Sequence, residues 1–107
     1  MNQSRYMNAR VIQKRLKKLQ NRAKAEILMR FFKTGPGEYA EGDIFIGVKV
    51  PQIRALAKRY IDMDFKDVIT LLKSKIHEER LTALLILVMK YYKAEDLERE
   101  KIYKIYL

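Results

Sequence analysis

The chain is 107 residues long, carries 23 Lys and Arg against 13 Asp and Glu, and has a formal net charge of +10. It contains no cysteine and one histidine, His77, which excludes a disulfide framework, a Cys-ligated zinc site and any site needing two imidazoles. That length holds one small domain or part of a larger one, and its longest apolar run, Leu81 to Met89 with Thr82 inside it, falls well short of the roughly 20 residues of a membrane-spanning helix.

The first residues, Met1-Asn2-Gln3-Ser4-Arg5, are not followed by an apolar stretch, so no secretory signal is read there. The absence of cysteine fits a reducing compartment, and the expectation is a soluble, cytoplasmic protein that avoids membranes. Charge is unevenly spread. Met1 to Lys33 holds ten Lys or Arg and one acid, Glu26; Thr34 to Asp64 holds four and five; Phe65 to Leu107 holds nine and seven. A positive field concentrated in the first third favours a polyanion through steering and counterion release, or else forms a solvated helix face that maintains solubility.

In chain order, Asn8 to Gln20 reads as a first helix, with Ile12, Leu16 and Leu19 at helical spacing and Lys14, Arg15, Lys17 and Lys18 on the remaining surface. A second is predicted from Arg22 to Lys33, with Ala23, Ile27 and Phe31 along one side and Leu28 and Phe32 beside them. Thr34-Gly35-Pro36-Gly37 stops it. Pro51 to Tyr60 is a third, facing inward with Ile53, Leu56, Ala57 and Tyr60. Asp64 caps a fourth with a stripe of Phe65, Val68, Ile69, Leu72 and Ile76. The fifth, Glu78 to Lys93, is apolar nearly all round and therefore needs neighbours on both flanks. Glu95 to Leu107 starts with acids and turns apolar at Ile102, Tyr103, Ile105, Tyr106 and Leu107, with no C-cap after it.

Between the second and third helices lies the most constrained stretch, Gly42-Asp43-Ile44-Phe45-Ile46-Gly47-Val48-Lys49-Val50-Pro51-Gln52-Ile53-Arg54. Two glycines five apart bracket Ile44, Phe45 and Ile46, so the backbone turns tightly while apolar residues anchor it. With Glu38-Tyr39 before it and Leu56-Ala57-Lys58 after, the stretch resembles the entry loop of the DNA alkylation repair family. Glu78-Glu79-Arg80-Leu81-Thr82-Ala83-Leu84 is also similar to that family. Its members are HEAT-like-repeat DNA glycosylases that release positively charged alkylated purines.

The resemblance implies an all-α, HEAT-like α-solenoid of about three helical hairpins, with a compact irregular bundle as the competing architecture. No fixed-period self-similarity supports the repeat, so it rests on helix pairing and the resemblance. It also implies that residues 1–107 are the amino-terminal part of a longer HEAT-like domain, since family members are about twice this length. The family's catalytic signature, a tryptophan-rich segment followed by an essential aspartate, has no counterpart here. The chain contains no tryptophan, and Asp43, Asp62, Asp64, Asp67 and Asp96 lie in other settings. No catalytic residue is carried over, and no metal or cofactor is expected. The signature has a physical purpose: a carboxylate stabilises the oxocarbenium-like sugar, and aromatic faces attract the cationic nucleotide. The resemblance implies chemistry without insertion of the base in a deep pocket.

The implied partner is duplex DNA, including alkylated DNA, held through its backbone. Candidate phosphate contacts are Lys14, Arg15, Lys17, Lys18, Arg22 and Lys24 in the densest basic block, Arg54 and Lys58 on the third helix, and Lys90 and Lys93 at the end of the fifth. Each has a structural alternative: solvated charge, an ion pair, or a cation meeting a helix C-terminus. Tyr39 and Phe45 either stack on a base or anchor the loop, and His77 reads as a helix-start residue rather than a general base. The alternative function is a HEAT-like interaction or oligomerisation module that self-associates through the apolar carboxyl-terminal end.

Overall fold

The computed structural model describes residues 8–38, 40–94 and 96–106, with the side chains of 96–98 and 106 left out. Within them the chain forms six helices: α1 (Ala9–Lys18), α2 (Arg22–Phe31), α3 (Val50–Arg59), α4 (Phe65–Leu72), α5 (His77–Lys93) and α6 (Asp96–Tyr106). The fold is all-α. Its Cα radius of gyration of 14.6 Å exceeds the roughly 13 Å of a compact globule of this length, as a stack of helical layers requires.

The apolar helix is the axis of the core. α5 packs against α3, α4 and α6, while α1 lies across α4 and α5. Ala83, Ile86 and Leu87 of α5 are buried, together with Ile53, Leu56 and Ala57 of α3 and Val68 and Leu71 of α4. Ile12 and Leu16 close the cluster from α1, and Ile102 from α6. The apolar helix therefore has neighbours on several sides, as its sequence demands, while Val88 near its end stays 43% exposed.

Local chemistry sets the helix ends. Asn8 accepts from the Val11 amide at 3.0 Å and Asn21 from the Lys24 amide at 3.0 Å, each an N-cap. Asp64 precedes α4 as its N-cap residue without a side-chain capping bond. Asp67 instead accepts the Ala9 amide at 3.1 Å, tying the start of α1 to α4. α3 begins one residue before Pro51, and the Gln52 Oε1 accepts the Lys49 amide at 3.3 Å.

Three expectations are revised. α4 stops at Leu72, so Ile76 serves as the N-cap of α5 rather than the last position of the α4 stripe, and Leu71 takes the buried place. Ile102 is buried in the chain's own core, so the carboxyl-terminal segment is partly covered; Leu107 and the Tyr106 side chain lie outside the described residues. The largest revision concerns α2. Its only buried residue is Ala25, whereas Ile27 and Phe31 are 63% and 74% exposed. The reason is that α2 packs on the glycine loop rather than against a helix face. Only a small residue fits where backbone meets backbone.

Candidate nucleic-acid interface

The glycine loop is built by three contacts that the chain makes over long sequence distances. Ile44 forms an isolated parallel bridge with Ile76, its amide donating to the Lys75 carbonyl at 3.1 Å while the His77 amide donates to the Ile44 carbonyl at 2.8 Å. The Asn21 amide donates to the Ile46 carbonyl at 2.9 Å, which fixes the start of α2 to the same loop. Gly47 sits at φ +81°, and a Cβ there would lie 2.1 Å from the Asn21 carbonyl oxygen and 2.9 Å from the Ala25 nitrogen. Glycine is required at this point for both reasons, conformation and space.

The third contact is the buried carboxylate of Glu78, 1% exposed at the first turn of α5. It accepts from the amides of Ile46 (3.1 Å), Gly47 (2.8 Å) and Val48 (3.4 Å). Successive backbone N–H groups thus form a nest around an anion, and the positive end of the α5 dipole adds to it. The buried acid is accommodated here because its lone pairs are filled by oriented amides. Nothing in the spacing of Glu78 and Gly47 announces this bond.

Phe45 is 4% exposed and its ring stacks on His77 with centroids 4.4 Å apart, so it anchors the loop and is closed to a base. Phe32 stacks on Phe45 at 5.2 Å and on His77 at 6.2 Å, so the three rings form one triangular cluster. His77 opens α5 as expected. Its pKa is lowered, chiefly by burial; Glu78 and Asp43 pull it upward and Arg80 downward. Ile44 is exposed and holds the loop through its backbone rather than its side chain. Tyr39 lies outside the described residues.

Beside the loop, α1 presents Arg10, Gln13, Lys14 and Lys17 on one helical stripe, with Gln20 just past its end. They form one wall of an open cleft whose other wall includes Ile46, Ile76 and Glu79. The Gln13 amide nitrogen donates to Glu79 at 3.1 Å, pinning the stripe to the start of α5. Arg10 to Lys17 spans about 10 Å along the helix, close to three base-pair steps of a DNA strand. Lys14 and Lys17 also border a shallower groove with Val11, Arg15 and Lys18 on the next face of α1.

The ten basic candidates do not converge on one spot. Lys14 and Lys17 share the cleft, while Arg15 lies 5.9 Å from the ring centroid of Tyr60, with Arg59 at 5.7 Å from the same ring. Lys18 is exposed, Arg22 pairs with Glu26 at 3.7 Å on an exposed face, and Lys24 is half-buried. Arg54 and Lys58 stand one turn apart on the solvent side of α3. Lys90 sits 5.2 Å over the Phe65 ring, Lys101 4.9 Å over it, and Lys93 pairs with Asp62 at 3.3 Å. Lys90 and Lys93 lie about 16 and 21 Å along α5 from Glu79 and so belong to a separate recess. Arg10 was missed from the sequence because it stands apart from the dense block, although i, i+4, i+7 spacing to Lys14 and Lys17 places it on their stripe.

Most described carboxylates already have structural partners. Glu78 and Glu79 are buried and bonded as above, Asp67 accepts the Ala9 amide, and Asp43 pairs with Arg80 at 3.3 Å. Among the described residues no group of three or more His, Cys, Asp or Glu could hold a metal ion. Nor is any helix among them long and apolar enough to cross a membrane.

Residues 12–107 match the family described as DNA alkylation repair enzyme. No curated protein matches, and no solved structure matches.

Proposed function

This chain belongs to the DNA alkylation repair enzyme family, and from that premise, which supports a role in DNA repair, we propose that it binds the backbone of duplex DNA along α1. The observation that carries the proposal is the cleft stripe of Arg10, Lys14 and Lys17, cations spaced along one helix face and fixed in place by the Gln13–Glu79 bond. Phosphate contacts position a protein on DNA without reading sequence, which suits a protein that must inspect any site. The cysteine-free composition suits the reducing cytoplasm.

The chain binds but does not by itself release alkylated bases. Excision of a cationic purine needs a carboxylate free to approach the sugar, and the buried acids here are committed to backbone amides and Gln13. The family's tryptophan-rich segment is also missing from this sequence, which has no tryptophan. Release of alkylated purine by the isolated chain would refute this part.

A salt series with a fluorescent duplex tests the binding. The log of affinity should fall linearly with log salt, and neutralising Arg10, Lys14 and Lys17 to Gln should flatten that slope by about 2.7, at about 0.9 per phosphate lost. An unchanged slope removes the stripe from the interface; no binding even at low salt removes the DNA reading. One observation favours a second reading. The exposed groove between α5 and α6, lined by Leu87, Val88, Tyr91, Tyr92, Ile102 and Tyr103, is apolar and fits the interaction or self-association module. Association through it would resist salt, whereas phosphate binding would not.

A further inference from the structure

The carboxyl end of α2 presents two aromatic rings and two cations that the backbone contacts of α1 leave unused. Phe31 is 74% and Phe32 45% exposed, with ring centroids 5.1 Å apart in an edge-to-face pair. Large apolar rings on a surface call for a partner. These two are braced from behind, because Phe32 stacks nearly parallel to Phe45 at 5.2 Å, and Phe45 stacks on His77 at 4.4 Å. Phe32 also lies 6.2 Å from the His77 ring, so the outermost ring is braced by a packed three-ring cluster that reaches the first turn of α5.

The cations beside it include one in an unfavourable seat. α2 ends in a Schellman turn: the Thr34 amide donates to the Met29 carbonyl at 3.2 Å and the Lys33 amide to the Arg30 carbonyl at 3.3 Å. Lys33 occupies the left-handed position of that turn at φ 55°, where glycine is ordinarily found. A helix C-terminus attracts cations, and this accounts for Arg30. It does not account for a lysine held where glycine would be less strained. Such strain marks functional positions when an independent feature stands beside it, here the exposed ring pair.

We propose that Phe31, supported by Phe32, is a stacking platform for an unpaired nucleobase, with Arg30 and Lys33 on the flanking phosphates. The inference rests on the DNA-binding reading above. The occupant follows from the chemistry on the surface. Residues 22–33 carry four Lys or Arg against Glu26 alone, so the partner is anionic, and a nucleobase is the flat apolar group that comes with phosphates attached. A base inside a continuous duplex has both faces covered by its neighbours. Only a bulged, frayed or flipped base offers a free face to a ring on an open surface. Ile27, 63% exposed and one turn back, extends the apolar strip for contact with a sugar.

The test compares two probes, a fully paired duplex and the same duplex with one bulged fluorescent purine analogue, in titrations with the full chain. The bulged probe should bind more tightly and its emission should be quenched on binding. Phe31→Ala should lower affinity for the bulged probe about fivefold or more, leave the paired duplex unaffected, and abolish the quench. Phe31→Trp should restore all three, and Phe31→Leu should not. Lys33→Gly should weaken both probes while raising the thermal midpoint, since it relieves the left-handed lysine. Equal binding of both probes with no quench overturns the platform and leaves the α1 interface standing. Full activity of Phe31→Leu overturns it in favour of an apolar protein contact. Failure to bind either probe at low salt overturns the DNA reading and the platform together.

Discussion

Replacing Glu78 should show how the glycine loop is held. Glu78→Ala leaves the amides of Gly47 and Val48 buried without an acceptor, where they now donate at 2.8 and 3.4 Å. An unsatisfied buried donor costs about 1–3 kcal/mol, so the pair accounts for about 2–6 kcal/mol before the part-buried Ile46 amide is included. A chain of this size is stable by only about 5–15 kcal/mol. The variant should therefore lose a large share of its stability. With a urea slope of about 1–3 kcal/mol per molar, the unfolding midpoint should drop by about 0.7 M or more. Glu78→Gln keeps one accepting oxygen but turns an amide donor toward another donor, so its loss should lie between the alanine variant and the parent. Amide hydrogen exchange gives the local readout, with protection at Gly47 and Val48 lost before that of α5. An alanine variant whose midpoint falls within about 0.3 M of the parent, with both amides still protected, would refute the argument. The loop would then be held by its backbone bridge and apolar anchor alone.

Two further outcomes follow from the same region. Gly47→Ala should abolish folding or cost more than about 3 kcal/mol in thermal unfolding, because its Cβ meets the Asn21 and Ala25 backbone. Gly42→Ala, at φ +88° in open space, should cost only about 1–2 kcal/mol of conformational strain. His77 has a folded-state pKa lowered by burial below its ordinary 6.5. The unfolded chain thus takes up the proton first, and the neutral imidazole's contribution is present above about pH 6.5 and lost as pH falls through the lowered value. Urea midpoints measured across that window should fall on acidification, and His77→Gln should remove that part of the pH dependence.

The helices were legible because burial has a period. Ile53, Leu56, Ala57 and Tyr60 on α3 pack inward as their spacing requires, and the apolar α5 packs against four helices. The glycine loop was legible as a tight, anchored turn because glycine and proline constrain backbone directly. What held it was not. Glu78 acts on amides 30 to 32 residues earlier, and a carboxylate looks the same in sequence whether it caps its own helix or fills a distant nest. α2 misled for a related reason. Its Ile27–Phe31 pair has core spacing, but α2 meets a loop backbone, so Ala25 and Gly47 make the contact and the larger residues face out. Periodicity shows that a face is apolar; it does not say what lies opposite. The basic candidates divide likewise: composition located the block, but only the packing of α1 on α5 separates Lys14 and Lys17 in the cleft from Arg15 against Tyr60.

Three consecutive residues at the start of α5 connect both proposed contact surfaces. His77 packs in the ring cluster with Phe45 and Phe32 that braces Phe31, Glu78 holds the loop, and Glu79 receives Gln13 from α1. Successive helix positions point in directions about 100° apart, so one turn can address three neighbours at once. The α1 stripe and the α2 aromatic end are therefore referred to one rigid turn. This arrangement also bears on the proposal that the chain binds DNA without releasing bases. An acid that organises a binding surface must be desolvated and fully bonded, while an acid that stabilises a sugar cation must keep an oxygen free to face it. Glu78 meets the first requirement and thereby fails the second.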